Sequence, residues 1–192
     1  LKRVAYAEGE DERVLRAAQT AIDDGLARPI LIGRPAVIQA RISAAGLRLQ
    51  PGVNVEVCDP DDDPRFRQYW ETYHRLMGRN GVTPDAAKAA VRRSNTLIAA
   101  LMVRMGDADA MLCGLVGKFD GHVSHIQAVL GLKDGAPGLA TLNALMLEKH
   151  TLFIADTYIN EDPDSELRAS IALMAAEVQR FGVPAKVAFL SH

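Results

Sequence analysis

Short apolar runs alternate along this chain with longer stretches of helical period. Val4–Ala7 predicts a strand, and Asp11–Asp24 a helix with Val14, Leu15, Ala17, Ala18, Ala21 and Ile22 on one face and Gly25 at its end. Pro29–Ile32 and the alternating Val53–Cys58 predict two further strands, with a helix over Pro35–Ala45 between them. Helices are predicted over Phe66–Arg79, over Pro84–Arg93 behind a Thr83 cap, and over Ser94–Met105. Ala108–Cys113 reads as a strand, Gly117–Gly121 as a glycine-spaced loop and His122–Leu130 as a short helix. Leu139–Glu148 and Thr151–Ala155 predict a hairpin. Asp162, as N-cap before Pro163, opens a helix with a buried stripe of Leu167, Ile171, Met174, Val178 and Phe181. Lys186–Leu190 predicts a last strand.

Strand and helix alternate from end to end, which predicts the α/β class with a mostly parallel sheet. Gly131–Gly138, with a third glycine at 135 and Pro137 before the last, is the best candidate for a crossover between domains. The division expected is 1–135 for a first α/β domain and 136–192 for the beginning of a second. There is no internal repeat.

Composition narrows the function classes. The 192 residues are 48% hydrophobic and 24% charged, with 22 basic against 24 acidic side chains and a net charge of −2. Neither disorder nor a nucleic-acid coat suits that balance. No apolar run reaches the ~18–20 residues of a membrane helix. Two cysteines, Cys58 and Cys113, make no disulfide framework, so a cytoplasmic setting is expected. The apolar patterns at both ends suggest an internal piece of a longer chain.

The chemistry is sparse. There is no P-loop and no G-x-G-x-x-G after the first strand. Gly114–Gly121 is the nearest substitute: it follows a strand and precedes a helix, where backbone N–H groups hold anions and Lys118 adds charge. A plain turn needing glycine's conformational freedom reads the same residues equally well. Glu8, Glu10, Asp11 and Glu12 suit the positive end of a helix, with Arg13 available as a local partner. Asp59–Asp63 lacks the glycine and terminal Glu of a calcium loop, leaving a solvated turn. His122 and His125 share a helical turn with Ser124 between them, but no third ligand is evident, His150 and His192 being distant; polar residues beside a loop is the plainer reading. Cys113, at the end of a buried strand, reads as inert packing. Phe66, Tyr69, Trp70 and Tyr73 read as core or interface.

Several segments together resemble the phosphate acetyltransferase (phosphotransacetylase) family. They are the opening Arg3–Ala18 with its Glu-Gly-Glu-Asp-Glu-Arg run, Gly106–Gly114, Thr151–Asn160, the Pro163-Asp164 pair and Val187–Ser191. The matches run in order over the whole chain. The resemblance implies a two-domain, three-layer α/β sandwich similar to isocitrate and isopropylmalate dehydrogenases, here incomplete at the C-terminus, with a cleft between the domains. The family moves acetyl between coenzyme A and phosphate without a metal.

Departures from the family pattern bear on activity. Active members carry a Ser-Thr-Ala-Asp-Thr-Val-Arg-Pro-like run before the short helix; here Phe119–His125 puts Ser124 where the substrate-binding arginine belongs. Another arginine precedes a Lys-Gly-Met-Thr-like run in active members; here Met77 holds that place and Arg79 stands two residues on. A dianion such as acetyl phosphate is naturally held by paired arginines, so their loss removes charge stabilisation in the transition state.

The altered pattern looks like the C-terminal phosphotransacetylase-like domain of bacterial hybrid malic enzymes, which decarboxylate malate to pyruvate. What that implies is an acetyl-CoA-binding regulatory domain with no catalytic residues and no metal or cofactor of its own. Its binding residues would be Gly114, Gly117, Lys118, Asp120, Gly121, His122, Ser124 and Arg79. Acetyl-CoA would be the effector, and NAD(P) with Mg or Mn would belong to a malic enzyme domain in the same chain. The expected assembly is a homo-oligomer, without nucleic acid or membrane. An active acetyltransferase and a plain oligomerisation scaffold remain the alternatives.

Overall fold

The computed structural model describes residues 1–190, so the expectations that touch Ser191 and His192 lie outside the described residues. The chain divides into two compact units, Leu1–Gly131 and the residues from Leu132 onward.

The first unit is built on four parallel strands: β1 (Lys2–Tyr6), β2 (Ala27–Ile32), β3 (Glu56–Cys58) and β4 (Ala110–Leu112). Their order is β3-β2-β1-β4. β1 therefore lies inside the sheet, with Val4 opposite Pro29 on one side and Ala110 on the other. The helices are α1 (Glu12–Asp23), α2 (Pro35–Ala44), α3 (Phe66–Met77), α4 (Pro84–Arg93), α5 (Asn95–Met105) and α6 (Phe119–Leu130).

Side chains alternate across each strand, and this splits the core in two. Ala5, Ile30 and Ile32 face one way, into a cluster with Tyr69 of α3, Val91 of α4 and Leu97, Leu101 and Met102 of α5. Tyr6 and Leu31 face the other way, against Leu15 and Ala18 of α1 and Ile38 and Ile42 of α2. The result is three layers, helix on sheet on helix. α5 is buried from Thr96 through Met102, so it carries apolar residues on every side rather than a stripe. Each fully buried Leu or Ile there contributes about 1.5–3 kcal/mol.

Helix starts follow their caps. Asp11 accepts the Arg13 N–H, Thr83 accepts the Ala86 N–H ahead of Pro84, and Ser94 accepts the Leu97 N–H. Two expectations for this unit's β3 and α6 need correction. Strand β3 begins at Glu56, not Val53, because Gly52 to Val55 is a turn in which Gly52 N–H meets Val55 O at 2.9 Å and Val53 points to solvent. Helix α6 begins at Phe119, so Asp120 and Gly121 are helical and not part of the loop.

In the second unit, β5 (Leu142–Met146) and β6 (Thr151–Ala155) pair antiparallel, as the hairpin pattern predicts. The long helix expected after Asp162 is instead α7 (Ser165–Ala172), α8 (Ala175–Val178) and a 3-10 turn over Gln179–Phe181. Its cap is Asp164, which accepts the Leu167 N–H; Asp162 pairs with Arg168. Of the expected stripe, Val178 is buried, whereas Phe181 is exposed and tilts against Phe153 at 5.1 Å. Lys186–Leu190 forms no strand. Among the described residues no helix is long and apolar enough to cross a membrane.

Candidate functional site

The strand order reverses direction at β1: the chain steps outward to β2 and β3, then returns to place β4 on β1's other side. The crevice beyond the carboxyl ends of such neighbours is where open α/β sheets bind ligands. In this unit it lies past Tyr6 and Leu112. A shallow depression of about 380 Å³ opens there, lined by Tyr6, Glu8, Arg13, Cys113, Gly114 and Leu115 among others.

Two bonds lock the strand ends together. Ala7 N–H donates to Leu112 O at 3.0 Å, and Gly114 N–H donates to the Glu8 carboxylate at 2.9 Å. Glycine is required at 9, since a Cβ would stand 2.7 Å from the Ile32 backbone nitrogen. Gly114 and Gly117 have φ of +104° and +112°, conformations that other residues rarely adopt. The chain then enters α6 at Lys118, whose backbone is extended and whose carbonyl accepts the Gly121 and His122 N–H groups. Among the described residues the Lys118 ammonium makes no ion pair, and its side chain stands in solvent at the positive end of α6. Asp120 sits in the same first turn.

His122 is the best-anchored of the expected site residues. Its Nδ1 lies 2.8 Å from Thr96 Oγ1 and its Nε2 2.9 Å from Val116 O. Ser124 is exposed on α6. His125 is half-buried, and burial, followed by the nearby His122, pushes its imidazole below the ordinary range. Arg79 is exposed on a 3-10 turn over Gly78–Asn80; among the described residues no hydrogen bond or ion pair ties it to the Gly114–Lys118 loop.

The acidic run divides into separate local tasks. Asp11 caps α1 and chelates Arg13, which holds its carboxyl down at about 2. Glu10 binds Arg34 through both oxygens at 2.8 Å and is likewise held at about 2. Glu12 pairs with Arg16 one turn on. Glu8 alone is turned to the loop. In the aspartate-rich turn, Asp59 accepts the Asp61 N–H and Asp63 chelates Arg65. Among the described residues no three His, Cys, Asp or Glu side chains are grouped to hold a metal. Burial, and secondarily the Glu8 charge, raises the Cys113 thiol, the reverse of what a nucleophile needs.

Sequence reasoning missed Glu8 and Thr96 as loop partners. Glu8 was hidden among acids with an adequate helix-dipole explanation. Thr96 lies 26 residues from its histidine, and a polar residue in an apolar helix gives no hint of its partner.

The family model for phosphate acetyl/butaryl transferases matches residues 1–192. The chain is 50% identical over 192 residues to an NADP-dependent malic enzyme of Salmonella typhimurium, covering 100% of this chain and 25% of that protein. It is 29% identical to a phosphate acetyltransferase of Nitratidesulfovibrio vulgaris, covering 99% of this chain and 27% of that one. A phosphotransacetylase structure from Streptococcus pyogenes superposes with a TM-score of 0.87 at 26% identity, over 99% of this chain and 57% of the other. The chain thus spans about a quarter of the length of the curated relatives it matches.

Proposed function

The chain belongs to the phosphate acetyl/butaryl transferase family, and on that footing we propose that it is an acetyl-CoA-binding regulatory domain without turnover, joined to a malic enzyme. The observation that carries this reading is the contrast within one short stretch. The loop at the strand-order reversal is fully formed, with Gly114 and Gly117 in glycine-only conformations and Lys118 at the head of α6. Yet α6 presents the neutral Ser124 where active members place an arginine. A site that keeps its backbone cradle but loses a clamp cation favours binding over chemistry.

Acetyl-CoA is the ligand, its phosphates meeting Lys118 and the loop N–H groups. The similarity to malic enzymes supports a malic enzyme domain in the same polypeptide, which would supply its own NAD(P) and Mg or Mn site. Regulation then means that acetyl-CoA binds two assembly states of a homo-oligomer unequally, with a coupling of about 1–3 kcal/mol. The contact region proposed is Gly114, Gly117, Lys118, Asp120, Gly121, His122 and Ser124, with Arg79 as the further cation.

Titration calorimetry with acetyl-CoA tests this. Saturable binding is expected, weakened by Lys118→Ala, with no acetyl phosphate formed when phosphate is added. Absence of heat at millimolar ligand overturns the binding reading and leaves a scaffold. Formation of acetyl phosphate overturns the loss of turnover and makes the domain a transferase.

A further inference from the structure

We propose that Thr96 and His122 are positioning residues: together they form a clasp that fixes the Gly114–Lys118 loop and aims the Gly117 N–H away from the ring. The inference deepens the acetyl-CoA reading and takes its ligand from it, but the clasp itself is a property of the ligand-free chain.

The argument starts from donors and acceptors. Val116 O offers only lone pairs, so the His122 Nε2 that meets it at 2.9 Å carries the hydrogen. In the neutral ring Nδ1 then holds a lone pair, and the Thr96 hydroxyl 2.8 Å away donates to it. Both ring nitrogens are committed, so the imidazole cannot turn without losing two bonds. Thr96 is 5% exposed, on the most deeply buried helix of the unit. The clasp therefore runs from the core through the ring to a loop whose Leu115, Val116 and Lys118 are all exposed.

A loop with so little buried surface is ordinarily the first part of a domain to open. Here Gly117 packs beneath the ring: a Cβ would lie 3.0 Å from His122 Nε2, and φ is +112°. Glycine at 117 is what lets the imidazole reach the Val116 carbonyl. The peptide plane has a second side. In a trans peptide the C=O and the following N–H point in opposite directions. With Val116 O turned into the ring, Gly117 N–H is aimed away from it, and no protein acceptor meets it among the described residues. The clasp thus orients one outward donor next to Lys118, where an anionic oxygen would be received.

The test uses the whole 192-residue chain with Thr96→Val, Thr96→Ser and His122→Ala. In the ligand-free protein, amide hydrogen exchange at the two ends of the loop, where Gly114 N–H is bonded to Glu8 and the Gly121 and His122 N–H groups to the Lys118 carbonyl, should quicken about three- to tenfold in Thr96→Val, the worth of one hydrogen bond. The α5 amides should keep their protection. Thr96→Ser, which retains the hydroxyl, should restore wild-type exchange and the Nε2–H tautomer seen in the imidazole nitrogen resonances. The acetyl-CoA dissociation constant should rise by the same factor and be rescued by the same serine. His122→Ala cuts the clasp from its half-exposed side and should give the same acceleration even if Thr96→Val does not fold. Wild-type loop exchange in both Thr96→Val and His122→Ala overturns the clasp, whatever acetyl-CoA does. Quickened exchange in a chain whose wild type takes up no acetyl-CoA upholds the clasp and overturns the ligand reading instead.

Discussion

Glu8 accepts the Gly114 N–H at 2.9 Å, so the residue two places beyond β1 anchors the residue two places beyond β4. The bond spans 106 residues of sequence and closes the candidate site on the sheet side. Removing the acceptor with Glu8→Ala should lower the unfolding free energy by about 1–2 kcal/mol in denaturant titrations, with Glu8→Gln losing less because an amide oxygen still accepts. The same charge helps burial to raise the Cys113 thiol. Glu8→Gln should therefore make Cys113 alkylate faster at a given pH, read by mass spectrometry on its peptide.

Gly9→Ala should be among the costliest single changes in the first unit. The new methyl would meet backbone at 2.7 and 2.8 Å, the Ile32 nitrogen and oxygen, and main chain cannot step aside as a flexible side chain can. A loss of about 1–3 kcal/mol is expected from thermal or chemical unfolding, the usual cost of overpacking. Gly25→Ala is a useful contrast: it meets no atom within 4 Å, and its only penalty is the φ of +63°.

The Glu10–Arg34 pair sets an acid limit. Arg34 holds the Glu10 carboxyl at about 2, below its ordinary 4.5. A depressed carboxyl stabilises the fold fully above the unfolded value and loses that contribution as pH falls toward the folded one. The stability gap between wild type and Glu10→Gln should thus be constant above pH 4.5 and close progressively toward pH 2. A gap that persists unchanged at pH 2 would show that the carboxylate charge is not its source.

Tyr69 is buried, and its hydroxyl donates to Asp107 at 2.9 Å, just before β4. Tyr69→Phe keeps the ring in the core and removes only that bond. A loss of about 0.5–1.5 kcal/mol is expected, with near-ultraviolet circular dichroism otherwise close to wild type.

Much of the fold was legible because its signals are local. Asp11, Thr83 with Pro84, and Ser94 each sit at the helix start they announce, and of the expected α1 face Val14, Leu15, Ala18 and Ala21 are buried, while Ile22 is partly buried and Ala17 is exposed. The failures have local causes too. Val53–Cys58 alternates like a strand, but Gln50 and Asn54 close a turn there through a side-chain bond at 2.7 Å. Helix α6 starts at Phe119 rather than at His122 because Gly121 does not break it, and Lys118 gives no side-chain cap to announce the start. The stripe from Leu167 to Phe181 has helical period, yet only Val178 of those residues is buried, so nothing holds the segment as one helix. Of the candidate site, the glycines and Lys118 were readable as a loop pattern. The Thr96–His122 contact was not, since it joins two helices whose sequences carry no mark of each other.

The position of β1 inside the sheet also has a consequence during synthesis. Its two edges are satisfied at very different times, for Val4 pairs first with Pro29 and then with Ala110. At a translation rate of ~5–20 residues per second, the second partner leaves the ribosome on the order of ten seconds after β1 does. Through that interval the nascent chain carries an open strand edge, the kind of template that pairs with foreign strands. Ala110–Leu112 therefore acts as the closing stitch of the first unit, and delays in translation before β4 prolong the time in which the wrong strand can take its place.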